Sequence, residues 1–390
     1  MSEPNRLASD VPRLETGSDS VHIVWPDGKH SRHLYYWLRE NCHCRRCTHP
    51  DAWERMLDFL AIPLDIAPAS ISSDEDGVHI EWPPHDATCD GSYYSWRWLD
   101  THRAEVSARL NRKGPAQAWA TSQLDKASLS VDYGEAMTGD TGLLRLLSHV
   151  DDTGVGFVTG MPVRERTVMA LAERIAFIEE SHFGRYFRVE SKPNAENLAY
   201  TPRALLPHND LGSRRHPPGI QFLHCLVNDA TGGESVLVDS IACADELRRN
   251  DPAAFELLST CRVTFSSIAD DWHIVNRATV IDVDEDGDIQ GTRCHPALLG
   301  PIDIEPELQM DFYRAFRRFL EIATSREMQF RFRLAAGECQ VFDNHRIMHA
   351  RSAFDPASGH RLFEGCYVCR DDFVSRLEVL RRRGEDFRAR

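Results

Sequence analysis

The sequence predicts a chain that is mainly β with helices: a double-stranded β-helix, or jelly roll, buttressed by helices and preceded by a small N-terminal β domain. Three observations predict this. Near the N-terminus, "VHIVW" (21–25) and "VHIEW" (78–82) alternate apolar and polar residues and run into the turn residues "PDGKH" and "PPHD". Further on, helical patterns come first, then strands separated by helical insertions, then a strand-rich end. The regular alternation of a doubly wound parallel sheet is absent, which leaves a barrel or jelly roll. A length of 390 residues suits two domains, or one large domain with an appendage.

The elements follow in order. Residues 1–20, "MSEPNRLASDVPRLETGSDS", are polar and read as a disordered lead. The small β domain spans 21–105, and "THRAEVSARLNRKGPAQ" (101–117) reads as a helix running into a linker. The larger domain spans 118–390. "TGDTGLLRLLSHVDDTG" (138–154) has apolar residues at helical spacing and stops at Gly154, and "VGFVTG" follows as a strand. "RTVMALAERIAFIEES" (166–181) is a second amphipathic helix. "GIQFLHCLVN" and "ESVLVDS" are strands divided by the Gly-Gly turn 232–233, and "CADELRRNDPAAFELLS" is helical. "PELQMDFYRAFRRFLEIATS" (306–325) is a long helix. "QFRFRLAAGECQVFDNHRIMHARSAF" holds two strands around the Gly337 turn, and "HRLFEGCYVC" is a closing strand. No internal repeat and no low-complexity tract is recognised.

Charge and composition narrow the function. The net charge of −15 argues against nucleic acid or an anionic membrane as the main partner. It is compatible with a small cation. No run of apolar residues is long enough for a membrane span, and the N-terminus lacks the apolar core of a signal peptide, so a cytoplasmic protein is expected. Most of the eleven cysteines are scattered and read as buried thiols. Cys42, Cys44 and Cys47 are different. Three soft ligands in one tight loop suit tetrahedral zinc, which needs a fourth.

A second metal pattern lies in the larger domain. "LPHNDLGS" (206–213) sets His208 and Asp210 two residues apart, and "VFDNHRIMHARSAF" offers His345 and His349. Two histidines and one carboxylate on one face of an octahedral ion leave positions open for a bidentate cosubstrate and dioxygen, the pattern of non-haem iron(II) oxygenases. Arg361 follows His349 by twelve residues and suits the far carboxylate of 2-oxoglutarate. His349 is therefore preferred to His345 as third ligand.

The chain resembles the γ-butyrobetaine and trimethyllysine hydroxylases, iron(II)- and 2-oxoglutarate-dependent dioxygenases of carnitine biosynthesis. The matching stretches are "YWLRENCHCRRC" (36–47), "NLAYT" (197–201), "HNDLGSRRHPPGIQFLHCLVNDATGGES" (208–235), "FDNHRIMHARSAFDP" (342–356) and "RLFEGCYV" (361–368). The resemblance implies iron at His208, Asp210 and His349, with Arg361 and Ser235 on 2-oxoglutarate. It implies an aromatic cage of Phe183, Phe187, Tyr200 and Tyr367 around a trimethylammonium group, which rings attract through their π faces. Asn197 would sit near the substrate's anionic end. It implies His85 as fourth zinc ligand, with Cys89 as a rival because "EWPPHDATCDGSYYSWRWL" is longer than usual. It also implies a homodimer. Two positions depart from the family pattern. Asn209 stands where Thr is usual. "TRCHPALLGP" (292–301) offers Arg293 and His295 but no Asn for the anion. A carboxylate, as in γ-butyrobetaine, is the first expectation. A phosphonate analogue or trimethyllysine is the alternative, and a non-catalytic metal-binding jelly-roll sensor is a competing class.

Overall fold

The computed structural model describes residues 11–83, 89, 91–103, 118–191 and 198–383. The chain divides into two units, 1–115 with 384–390, and 116–383. It is mainly β with helices. Among the described residues no helix is long and apolar enough to cross a membrane.

The N-terminal unit contains two three-stranded antiparallel sheets. One is Arg13–Thr16, Ser20–Val24 and His30–Leu34, followed by the helix Tyr35–Glu40; the other is Ser70–Ser73, Gly77–Glu81 and Ser92–Ser95, followed by the helix Trp96–Thr101. The strand Arg13–Thr16 pairs with Val21–Val24, so this part of the expected disordered lead is ordered, while residues 1–10 lie outside the described residues. The two halves repeat one plan. Val21, Ile23 and Trp25 in the first and Val78, Ile80 and Trp82 in the second are all buried in one core. The Trp25 indole donates to Ser31 Oγ at 2.9 Å, and the Trp82 indole donates to Ser92 Oγ at 2.7 Å. This internal repeat was missed because loops of different length separate its matching parts. The helix expected over 101–117 falls mostly outside the described residues.

The second unit is built on two sheets. One has the order Ser130–Asp132, Val155–Thr159, Cys339–Asp343, Ile220–Asn228, Arg361–Val368, Phe187–Glu190. It is antiparallel except for its first pair. The other has the order Leu205–His208, Ile347–Arg351, Ser235–Asp239, Phe330–Phe332. Leu237 and Ile347 from the second sheet pack with Val155, Phe157, Phe342 and Phe363 from the first, so the sheets form a sandwich. Asp239 ties one end together. It caps the helix Ser240–Asn250, accepts from the Trp119 amide and pairs with buried Arg346 at 2.8 Å.

Several boundaries differ from expectation. The helix expected over 166–181 is Thr167–Ile175. Ile178 then bridges to Val368 and the Glu179 amide donates to the Tyr367 carbonyl, so sheet pairing overrides the helical pattern. The helical stretch 243–259 is two helices, broken at Asp251 ahead of Pro252. A terminal helix, Arg370–Arg381, was not anticipated, because its Phe373, Leu377 and Leu380 are sparse among charges.

Candidate active site

A cavity of about 290 Å³ opens between the two sheets. His208, at the end of its strand, pairs across the sheet with His349, and Leu237 flanks His349 on the other side. Asp210 lies two residues past the strand, beside Leu211 with its positive φ of 58°. His208 Nε2 and His349 Nε2 lie 3.5 and 3.7 Å from the same oxygen, Asp210 Oδ1. The two imidazole rings are 4.2 Å apart. His208 Nδ1 sits 2.8 Å from the Leu206 carbonyl, which can only accept. Nδ1 therefore carries the proton and the Nε2 lone pair is free for a metal.

The other oxygen, Asp210 Oδ2, accepts from Gln221 Nε2 at 2.8 Å and from the Tyr367 hydroxyl at 2.8 Å. These donors fix the carboxylate so that Oδ1 faces the histidines. Burial works against the charge of Asp210, but His349, His208 and Tyr367 hold its carboxyl well below the usual range. Burial and then neighbouring His208 push His349 down to about 3. The carboxylate is thus ionised and the imidazole neutral at neutral pH, the states a metal ligand needs. His345 lies outside the cavity, its Nε2 3.1 Å from the Pro217 carbonyl.

A third imidazole approaches this centre. The ligand atoms of His208, Asp210 and His295 all lie within 4.8 Å of one another, and the His295 ring is 4.7 Å from that of His208. His349 stands on a central strand in register with His208 and its Nε2 also reaches Asp210, whereas His295 comes from a loop, so both imidazoles border the centre. Asn209 holds that loop. Its Oδ1 accepts from the Thr292 hydroxyl at 2.9 Å and from the Cys294 amide at 3.0 Å. The departure from Thr at 209 therefore bears on where His295 sits rather than on the metal. His295 Nδ1 is buried without a partner, and burial followed by His208 pushes the ring down to about 3.

Arg361 lines the cavity from the opposite sheet. Its guanidinium lies 4.0 Å above the Phe363 ring and forms no ion pair among the described residues, while its Nε is buried without an acceptor. Burial, and then nearby Arg351, lower its pKa to about 9. A buried cation without a counter-charge is costly, so this end of the cavity calls for an anion. Ser235 also lines it.

Phe183, Phe187, Tyr200 and Tyr367 line the cavity together. The Phe187 and Tyr367 rings are 5.2 Å apart, and Phe183 and Phe187 are 6.3 Å apart. Trp272, on the ribbon formed by Val263–Ala269 and Trp272–Ala278, backs Phe183 at 6.0 Å. Arg293 is not in the cavity. Its guanidinium donates to the Arg214 and Arg215 carbonyls at 2.8 and 3.0 Å and faces Asp282, so the anion-binding role expected for it is not supported. Asn197 lies outside the described residues, as does His85. Gln221 was missed, although a lone glutamine inside the apolar run "GIQFLHC" is a signal that its strand faces a polar centre.

In the N-terminal unit Cys42, Cys44, Cys47 and Cys89 form a four-sulfur group. Cys89 Sγ is 3.5 Å from Cys42 Sγ and 3.9 Å from Cys44 Sγ. Four sulfurs held tetrahedrally at zinc-bond length stand about 3.8 Å apart. The cluster fits that ion, and its fourth member is Cys89.

Residues 117–367 match the family described as taurine catabolism dioxygenase TauD, TfdA family, and residues 13–100 match the gamma-butyrobetaine hydroxylase-like N-terminal domain. A gamma-butyrobetaine dioxygenase of Pseudomonas sp. (strain AK-1) is 38% identical, over 96% of this chain and 97% of its own. The Homo sapiens gamma-butyrobetaine dioxygenase is 30% identical, over 97% of this chain and 100% of its own. A trimethyllysine dioxygenase of Meyerozyma guilliermondii is 28% identical, over 96% of this chain and 97% of its own. The chain belongs to the TauD, TfdA dioxygenase family, among its gamma-butyrobetaine and trimethyllysine hydroxylases, and is a dioxygenase dependent on iron(II) and 2-oxoglutarate.

Proposed function

We propose that the enzyme hydroxylates a small acid bearing a trimethylammonium group, γ-butyrobetaine first, to give L-carnitine. The observation that carries this reading is the cavity wall of four aromatic rings, Phe183, Phe187, Tyr200 and Tyr367. A quaternary ammonium has no N–H to donate, and π faces are the surface that suits it. The lining also discriminates between substrates. Among the described residues, the one acidic side chain facing the cavity is Asp210, committed to the metal centre. Trimethyllysine carries an α-ammonium that would need a second carboxylate, so a singly cationic acid fits better. The relatives named as gamma-butyrobetaine dioxygenases support the same choice.

His208, Asp210 and His349 would hold iron(II), and Arg361 with Ser235 would hold the far carboxylate of 2-oxoglutarate. The metal with its cosubstrate supplies the chemistry in which one atom of O2 goes to a C–H bond of the substrate and the other to succinate, with release of CO2. The chain's own residues bind and orient. The cage fixes the cationic end, His295 is placed to meet the anionic end, and the distance between them selects the carbon presented to the centre. The two-sheet sandwich is read as a double-stranded β-helix. The four-cysteine cluster is read as a structural zinc site, closed by Cys89 in place of the expected His85.

A second reading, a trimethylammonioalkyl phosphonate, is kept because His295 stands where the family pattern has an amide. The test is 2-oxoglutarate consumption with γ-butyrobetaine, trimethylammonioethyl phosphonate, trimethyllysine and the tert-butyl isostere of γ-butyrobetaine, each product identified by mass. γ-Butyrobetaine should be turned over fastest. The isostere should bind more weakly by roughly 0.5–2 kcal/mol. Faster turnover of the phosphonate would transfer the assignment to that substrate.

A further inference from the structure

We propose that Arg351 is a positioning residue that couples the cosubstrate end of the cavity to the aromatic cage. The inference rests on the reading of the cage given above. Arg351 follows the candidate ligand His349 on the strand Ile347–Arg351 and is paired with Leu205 on one side and Ser235 on the other. Its guanidinium is buried and forms no ion pair among the described residues. It grips one short segment of backbone instead. Nη1 donates to the Ala199 carbonyl at 3.1 Å, and Nη2 donates to the Thr201 and Arg203 carbonyls at 2.6 and 2.7 Å. That segment carries Tyr200 of the cage.

The other face of Arg351 meets Phe354, whose ring lies 5.0 Å from the Arg351 guanidinium carbon and 5.7 Å from that of Arg361. The Phe354 amide donates to the Pro202 carbonyl, in the same segment, at 3.2 Å. Two buried cations therefore share one ring, and no protein anion lies between them among the described residues. Like charges in a poorly solvated place repel strongly. A carboxylate on Arg361 cancels that repulsion. The grip that Arg351 already has on the three carbonyls, and through them on Tyr200, is thereby strengthened. Coupling between two bound ligands is reciprocal, so the substrate strengthens cosubstrate binding by the same factor.

The test uses the full-length, iron(II)-loaded enzyme without oxygen. γ-Butyrobetaine is titrated calorimetrically with and without 2-oxoglutarate, and cosubstrate binding is followed by its visible charge-transfer band on iron. Wild type should bind γ-butyrobetaine about fivefold or more tightly when 2-oxoglutarate is present. In Arg351→Gln that factor should fall to about one, while 2-oxoglutarate affinity stays within about threefold of wild type. Arg351→Lys, which keeps the charge but can reach fewer carbonyls, should restore part of it. Phe354→Leu, which leaves both arginines in place, should also reduce it and decides the matter if Arg351→Gln does not fold. Wild-type coupling retained in Arg351→Gln or in Phe354→Leu overturns the proposal. So does a loss of 2-oxoglutarate affinity in Arg351→Gln as large as that in Arg361→Gln. Failure of wild type to bind any trimethylammonium acid overturns the cage reading and this coupling together. Binding without dependence on 2-oxoglutarate overturns the coupling alone.

Discussion

Replacing Gly365 with alanine should damage the cage without replacing any of its rings. Gly365 faces Phe187 across the paired strands Arg361–Val368 and Phe187–Glu190. A Cβ at this position would lie 2.5 Å from Phe187 Cζ and 2.7 Å from its Cε2, and 2.8 Å from the Phe222 carbonyl oxygen. Carbon atoms prefer about 3.5–4.0 Å, so something must move by about 1 Å. The Phe222 carbonyl belongs to a strand paired on both sides and cannot yield easily. The Phe187 ring must swing, and it leaves its contact with Tyr367 at 5.2 Å. Overpacking of this kind costs about 1–3 kcal/mol of stability. Losing one π face from the cation costs roughly 0.5–2 kcal/mol, a two- to thirtyfold rise in the KM for γ-butyrobetaine. The KM for 2-oxoglutarate should stay within about twofold, because Arg361 lies at the other end of the strand, opposite Asn228. Steady-state kinetics on Gly365→Ala, Phe187→Leu and the double variant check this. The two changes should be strongly non-additive, since each removes the same ring contact. An unchanged γ-butyrobetaine KM in Gly365→Ala, with a lowered melting temperature, would refute the reasoning that Phe187 is a binding wall.

Three further outcomes are expected. Tyr367→Phe removes the hydroxyl that donates to Asp210 Oδ2 at 2.8 Å but keeps the ring, so iron affinity should fall about tenfold while substrate KM at saturating iron barely changes. Metal titration separates the two. Cys89→Ser should release zinc and destabilise the N-terminal unit, whereas His85→Ala should retain about one zinc per chain by metal analysis. Retention in Cys89→Ser with loss in His85→Ala would return the fourth ligand to His85. His33 supplies a pH dependence. Burial, followed by nearby Arg103, pushes this histidine from 6.5 down to about 4. Its stabilising contribution is therefore full above pH 6.5 and is lost as pH falls towards 4, because the unfolded chain takes the proton first. Denaturant unfolding at pH 5 should show a loss of about 2 kcal/mol relative to neutral pH that His33→Gln no longer shows.

The parts of the site legible in the sequence were those where chemistry forces residue type and spacing together. His208 and Asp210 flank one residue at a strand end, and the distant His349 and Arg361 fall on two later strands. What could not be read depends on tertiary direction. Arg293 falls where the family pattern has an arginine near the substrate's anion, yet its side chain turns away to two backbone carbonyls. Arg351 and Gln221 look like unremarked polar residues in strands, and only the folded sheets show one holding the Tyr200 segment and the other holding Asp210. The helix expected to reach residue 181 stops at Ile175, since backbone pairing with Tyr367 and Val368 is worth more there than helical periodicity. The fourth member of the cysteine cluster stayed open because the sequence offers both His85 and Cys89 in one long stretch. In the structure Cys89 is that member, with its Sγ 3.5 and 3.9 Å from those of Cys42 and Cys44.

The central claim is that this cavity hydroxylates a trimethylammonium acid at the expense of 2-oxoglutarate. The most direct measurement is a single incubation of the iron(II)-loaded enzyme with γ-butyrobetaine, 2-oxoglutarate and isotopically labelled dioxygen, followed by mass analysis of both products. The account predicts equal amounts of succinate and hydroxylated betaine, each carrying one labelled oxygen, with the stoichiometry lost in His349→Ala and kept in His345→Ala. Succinate formed without a hydroxylated betaine, or stoichiometric turnover that survives His349→Ala, would contradict it.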